Sequence, residues 1–177
     1  MSQVVSDQPE IELLDGREYP KVSPRRTHAL VQTRVAMILV RLMQASGEVG
    51  TEWRFRLREG TAFVPDVAYV SRERLHALSV SQREEPPFAP DIAVEVRSPS
   101  NRVAYDAQKF RAYVEHGSRL VLDVDPATRS VTAHGPDATS RSYDETEQFE
   151  HPAIPGLQFA VAELFQDLGP PTIDPRG

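Results

Sequence analysis

Three charged side chains of this chain sit where a charge needs a reason. Glu95 lies between valines in the segment PDIAVEVRSPS, residues 90–100. In a strand, Asp91, Ala93, Glu95 and Arg97 share one face, and Ile92, Val94 and Val96 share the other. A carboxylate in so apolar a strand has to be paired, hydrogen-bonded or metal-bound. Asp66 is placed similarly in FVPDVAYV, residues 63–70, directly after Pro65. Two carboxylates from neighbouring strands make a site for a hard cation. Mg2+ takes oxygen ligands, usually one or two carboxylates completed by waters and substrate phosphate. The structural alternatives are a Glu95–Arg97 or Asp91–Arg97 ion pair, and a turn or bulge aspartate at position 66. The third residue is Lys109, in YDAQKFRAYVEHG. Asp106, Lys109 and Tyr113 fall on one helical face by their spacings of three and four. Lys109 and Lys21 are the only lysines in a chain that otherwise uses arginine. A lysine here either has a specific task or is a solvated helix residue.

Other chemistries find no support. There is no cysteine, which excludes disulfides, thiolate zinc sites and cysteine nucleophiles and permits a reducing cytoplasm. His76, His116, His134 and His151 show neither H-x-x-x-H nor H-x-H spacing, which argues against zinc. No G-x-x-x-x-G-K-[ST], G-x-G-x-x-G or G-x-S-x-G is present, so the usual signatures of an NTPase, a dinucleotide enzyme or an α/β-hydrolase are missing. Arg25, Arg26, Arg34, Arg41, Arg54, Arg56 and Arg58 crowd one third of the chain. Arg54, Arg56 and Arg58 form a stripe on one strand face, which either tracks phosphates or is simply solvated.

Several elements must position these residues. IELLDGREYPKV reads as a hairpin turning at Asp15-Gly16. Ser23-Pro24 opens a helix over 24–45, with Ser23 as N-cap, Val31, Val35, Ile38 and Leu42 at helical spacing, and Gly47 as the stop. EVGTEWRFRLREGTAFVPDVAYV reads as two strands turning at Glu59-Gly60, the second running over 61–70 with a bend or bulge at Pro65. Residues 71–89 read as a loop with one helical turn. A strand over 91–98, a helix over 104–116 and a strand over 119–125 follow. Weaker strands are expected near 129–134 and 143–149, and a short helix over 161–164. Hairpins followed by a crossover helix imply a mixed sheet flanked by helices, an α/β (α+β) fold.

At 177 residues the chain suits one domain, here 10–165, with a disordered segment at 1–9 and a flexible proline-rich tail at 166–177. The N-terminus lacks the basic flank and apolar run of a signal peptide, and no apolar run is long enough to span a bilayer. A soluble cytoplasmic protein is expected. The net charge of −6 counts against non-specific nucleic-acid binding, although metal-holding carboxylates add to it and a basic groove can sit on an acidic protein.

Taken in order, these segments resemble the Uma2 family of bacterial restriction-endonuclease-like proteins, within the PD-(D/E)XK nuclease superfamily. The resemblance covers about residues 10–165. It rests on IELLDGRE, SPRRTHALV, VPDVAYV, PDIAVEVRSPS, the helix pattern Asp106, Lys109, Tyr113, Gly117, and then LVLDVDP and AIPGLQFAVAELF. It implies a restriction-endonuclease-like core of αβββαβ order, with an N-terminal hairpin and extra C-terminal strands. It implies Mg2+ held by Asp66 and Glu95, with Mn2+ able to substitute, DNA as substrate, and a homodimer, since two sites cut two strands most simply. The superfamily's usual lysine position carries Arg97, which stays protonated and supplies only charge and hydrogen bonds. The resemblance therefore moves the lysine role to Lys109, to orient the attacking water or stabilise the transition state. Asp91 and Arg97 would support the site, Arg97 through the phosphate. His28 stands where similar chains carry histidine, near the site or structural, and Tyr113 would bond a site carboxylate or fill the core. A second departure is Leu122-Asp123, where similar chains often carry tryptophan and an aliphatic residue. A catalytically inactive module on the same fold, binding DNA or a protein, is the alternative.

Overall fold

Asp15 and Gly16 both take positive φ, 53° and 77°, and close a tight hairpin between β1 (Ile11–Leu14) and β2 (Arg17–Pro20). The computed structural model describes residues 10–21, 23–98 and 103–169. The segment 1–9, most of the proline-rich tail (170–177) and Pro99 and Ser100 lie outside them. Helix α1 (Arg26–Met43) follows. Its N-cap is Arg25, not Ser23, and it ends at Gln44, ahead of Gly47. Gly47 instead opens β3 (Gly47–Thr51), where a Cβ would meet the Val70 carbonyl oxygen at 2.2 Å and the Tyr69 ring at 2.6 Å. Glycine is required there by close packing, not by a helix stop.

The next stretch departs from two long strands. It forms β3, β4 (Phe55–Arg58), β5 (Thr61–Phe63) and β6 (Val67–Ser71). Glu52, at φ 52°, breaks the first strand, and Val64-Pro65-Asp66 breaks the second. Proline has no N–H for a ladder, so the chain leaves one sheet at Pro65 and enters another. Residues 71–89 contain two short helices, α2 (Arg72–His76) and α3 (Val80–Glu84), the second begun by a Ser79–Gln82 capping box. Then come β7 (Ile92–Val96), α4 (Val103–Glu115), β8 (Leu120–Asp125), β9 (Ser130–His134), β10 (Ser140–Asp144), β11 (Gln148–Glu150) and β12 (Gln158–Ala160). A 3-10 turn covers Val161–Leu164.

A six-stranded mixed sheet of order β10-β9-β8-β7-β6-β3 forms the centre. Only β7 and β8 pair in parallel in it, joined by the crossover helix α4. Taken along this sheet, α1, β3, β6, β7, α4 and β8 supply the αβββαβ order. The β4–β5 hairpin is inserted and pairs with the N-terminal hairpin in a second sheet, β2-β1-β5-β4.

Alternation along the strands divides the core. Val67, Tyr69, Ile92, Val94, Val96, Leu122 and Val124 face α1 through Val31, Val35, Ile38 and Leu39. Ala68, Val70, Ala93 and Val121 face α4 and the small sheet through Phe110, Tyr113, Phe55 and Phe63. Glu95, which alternates with Val94 and Val96, belongs to this second face. Among the described residues no helix is long and apolar enough to cross a membrane.

Candidate active site

The antiparallel register Val67↔Val94 brings Asp66, one residue ahead of β6, alongside Glu95 near the end of β7. The break at Pro65 frees Asp66 from the ladder, and its side chain reaches across: Oδ2 accepts the Val96 N–H at 2.7 Å. His28 Nε2, from the first turns of α1, lies 3.1 Å from the same oxygen. Lys21 Nζ lies 2.9 Å from Oδ1. Burial opposes the charged form of Asp66. His28, Lys21 and the Val96 N–H outweigh it and hold the carboxyl well below the ordinary range.

Glu95 presents a different balance. Its Oε1 accepts from Lys109 Nζ at 2.7 Å and from the Tyr113 hydroxyl at 2.9 Å. Burial, together with the carboxylates of Asp66 and Glu12, pushes it up to about 8 against the pull of Lys109. Lys109 is shared: Nζ is also 2.7 Å from Glu12 Oε1. Burial alone would lower the Lys109 ammonium, but the Glu12 and Glu95 carboxylates win and raise it. Lys109 is thus a fixed cation. Glu12 also accepts the Val64 N–H at 2.8 Å and the Tyr105 hydroxyl at 2.7 Å. Despite its burial, these donors and Lys109 keep Glu12 below its ordinary value.

The structure therefore brings Asp66, Glu95, Lys109, His28 and Tyr113 together. It does not bring Asp91, which lies at the opposite end of β7. There Asp91 Oδ2 accepts the Ser71 N–H at 2.8 Å and sits 3.4 Å from Arg74 Nη1. Four strand residues separate it from Glu95, too far to share a cation. Arg97 is near but committed. It makes two contacts with buried Asp123, at 2.8 and 2.5 Å, so neither Glu95–Arg97 nor Asp91–Arg97 is the ion pair. The arginine stripe is also largely spent: Arg54 and Arg56 pair with Glu85, and Arg58 with Asp15. Arg25 and Arg26, just ahead of His28, remain exposed.

Four members of the cluster escaped the sequence. Glu12 had a signal: strand alternation puts it on the face of buried Leu14, so its carboxylate points inward. Gln32 stands one helical turn after His28 and donates to the Asp66 carbonyl at 2.9 Å. Lys21 was marked only by the rarity of lysine. Glu52, which bonds both Lys21 and Gln32, gave no signal.

The model of the Uma2 family, described as "Putative restriction endonuclease", matches residues 2–162. The chain belongs to the Uma2 family. A crystal structure of a "putative nuclease" from Anabaena variabilis superposes with a TM-score of 0.79 at 19% identity, covering 89% of this chain and 90% of that one. At that identity the likeness establishes a shared fold. No curated protein matches the chain.

The carboxylates fit a hard cation. Asp66 Oδ1 is buried and accepts no hydrogen bond, although Lys21 stands at ion-pair distance. The ammonium lies near Oδ1, but its hydrogen bonds go to Glu52 and the Val64 carbonyl. Lys109 and Tyr113 both donate to the same Glu95 oxygen, Oε1. No group of three or more His, Cys, Asp or Glu among the described residues is spaced to hold a metal ion. Two carboxylates suit Mg2+, which keeps waters and substrate oxygens, better than zinc, which wants a fuller protein cage.

Proposed function

We propose that this Uma2 protein is an endonuclease that hydrolyses DNA phosphodiester bonds with Mg2+, or Mn2+ in its place, held by Asp66 and Glu95. The observation that carries this is two carboxylates on adjacent strands, buried Asp66 with an oxygen that accepts no hydrogen bond and largely buried Glu95, beside the fixed ammonium of Lys109. Held there, the cation supplies Lewis-acid charge to the phosphodiester and eases deprotonation of water. The chain's own residues do the positioning. His28 and the Val96 N–H fix Asp66, and Tyr113 fixes Glu95. Glu12 anchors Lys109, which stays charged, orients the attacking water and stabilises negative charge growing on the phosphate. Arg25 and Arg26 offer charge to the nucleic-acid backbone at the mouth beside His28. A cytoplasmic homodimer, with one site for each strand, fits this activity.

A second reading, an inactive module that binds DNA or a protein, is favoured by one observation. Arg97, at the superfamily's lysine position, is tied to Asp123 and not turned to the site. Incubating pure protein with supercoiled plasmid and Mg2+ or Mn2+ separates the two. The endonuclease reading expects metal-dependent cleavage, abolished by EDTA, by Glu95→Ala and by Lys109→Ala. Cleavage that survives Glu95→Ala comes from a contaminant and removes the assignment. Metal binding through Asp66 and Glu95 without cleavage of any DNA offered moves the conclusion to the inactive module.

A further inference from the structure

The proposed hydrolysis uses Lys109 and leaves the other lysine without a task. Lys21 is tied down at its backbone, where its N–H donates to the Glu10 carbonyl at 2.7 Å. Its Nζ stands 2.5 Å from Glu52 Oε2, 2.8 Å from the Val64 carbonyl and 2.9 Å from Asp66 Oδ1. Glu52 is held in turn. Its other oxygen accepts from Gln32 Nε2 at 2.7 Å, and Gln32 also donates to the Asp66 carbonyl. Asp66, Lys21, Glu52 and Gln32 thus close a ring. Glu52 adopts φ 52°, a conformation that L residues take at a cost, and this turns the chain at the break between β3 and β4 that holds it in the ring.

Resting on the Mg2+ reading of the site, we propose that Lys21 is a built-in counter-cation of Asp66, which yields that carboxylate to the divalent cation while Glu52 retains it. The ammonium stands at the Asp66 oxygen that accepts no hydrogen bond, so a divalent cation on Oδ1 and the ammonium compete for one place. Two like charges at contact distance of one oxygen repel strongly in a site this buried. Lys21 can withdraw without breaking a hydrogen bond. Its directed bonds go to Glu52 and Val64, and only charge attraction joins it to Asp66. The coupling is reciprocal, so a lysine that stabilises the metal-free site must weaken the metal by the same factor. Without metal the ammonium prevents Asp66 from standing as an uncompensated buried charge.

The test is Mn2+ affinity of the full chain without DNA, by calorimetry or by electron paramagnetic resonance of free Mn2+. Lys21→Met should tighten binding by about tenfold, a usual size for coupling between sites. Lys21→Arg keeps the charge and should stay within about threefold of wild type. Glu52→Gln removes the retaining anion, throws Lys21 back onto Asp66 and should weaken Mn2+ several-fold; in the Lys21→Met background the same change should do nothing. Thermal unfolding supplies a second readout: Lys21→Met should melt below wild type in EDTA, and saturating Mn2+ should close the gap. If Lys21→Met does not fold, the opposite responses of Lys21→Arg and Glu52→Gln decide. Binding in Lys21→Met equal to or weaker than wild type overturns the proposal, as does a Glu52→Gln effect that is the same in both backgrounds. If wild type binds Mn2+ in a way that Asp66→Asn abolishes but Lys21 does not affect, only the counter-cation role falls. If neither wild type nor Lys21→Met binds Mn2+, the metal reading falls with it.

Discussion

Glu95→Gln should make the metal-free protein more stable at neutral and alkaline pH and, on the proposed reading, should abolish Mn2+ binding. Lys109 lies between Glu12 and Glu95 at 2.7 Å from each, so one ammonium serves two carboxylates. Glutamine keeps the shape, still accepts from Tyr113 and Lys109 through its carbonyl, and leaves a one-to-one Lys109–Glu12 pair. The sign follows from the direction of the shift. Glu95 is raised in the folded state from an ordinary 4.5 to about 8, so its contribution is fully present below 4.5 and is lost as pH rises through about 8. At about 1.4 kcal/mol per pH unit, that loss is on the order of 5 kcal/mol in all. Glutamine does not titrate, so the variant should lack this limb. Relative to wild type it should gain steadily from pH 5 to pH 8 and level off above. Asp66 sets the opposite limb: its lowered pKa gives stability that is present above its ordinary 3.8 and lost as pH falls, and the variant retains it. The assay is urea unfolding in EDTA at pH 5, 6.5, 8 and 9. A difference that does not change with pH, or a variant less stable than wild type at pH 9, would refute the argument that burial and the neighbouring carboxylates disfavour the ionised form of Glu95.

Lys109→Met leaves Glu12 buried with no cation in contact; it should cost about 3–5 kcal/mol in urea unfolding, with the penalty shrinking toward acid pH as the carboxyls take up protons. Gly47→Ala should lower stability by at least about 1–3 kcal/mol, because the obstructing atom is the Val70 backbone oxygen at 2.2 Å and cannot swing aside; an unchanged melting temperature would contradict the packing described for β3. Arg97→Ala strands buried Asp123 and should destabilise by about 1–3 kcal/mol, whereas Arg97→Leu combined with Asp123→Leu should recover most of it; a double-mutant cycle with no coupling would show that the pair is incidental.

Much of the fold was legible because it follows from local rules. Asp15-Gly16 demanded positive φ at two positions and received it. The alternation in 91–96 and 120–125, with a helical period between, marked a parallel pair and its crossover. What the sequence blurred were breaks that only tertiary structure decides. A proline between Val64 and Asp66 reads equally as a bulge or a strand end. The deciding fact is that β5 finds β1 as a partner while β6 finds β3 and β7. Nothing in GTEWR announces that Glu52 leaves the extended region. Its bonds to Lys21 and Gln32 span 31 and 20 residues, beyond any local pattern.

The site divides along the same line. Asp66, Glu95 and Lys109 were visible because each breaks a local pattern: an acid in an apolar strand, or a rare lysine on a helix face. Arg97 broke one too, but its partner Asp123 lies on a strand 26 residues later, beyond any local pattern. The two positions that depart from the family pattern turn out to face each other. They form an ion pair, with the arginine half-exposed and the aspartate buried. An arginine with both its Nε and a terminal nitrogen on Asp123 cannot replace a mobile lysine two residues past Glu95. The ammonium has to come from α4, and the N-terminal hairpin has to supply Glu12 to hold it there. The hairpin thereby helps to build the charged cluster, in which carboxylates at 12, 52, 66 and 95 share two lysines. On the proposed reading, a cation held by Glu95 would displace the proton that burial and the neighbouring carboxylates favour there.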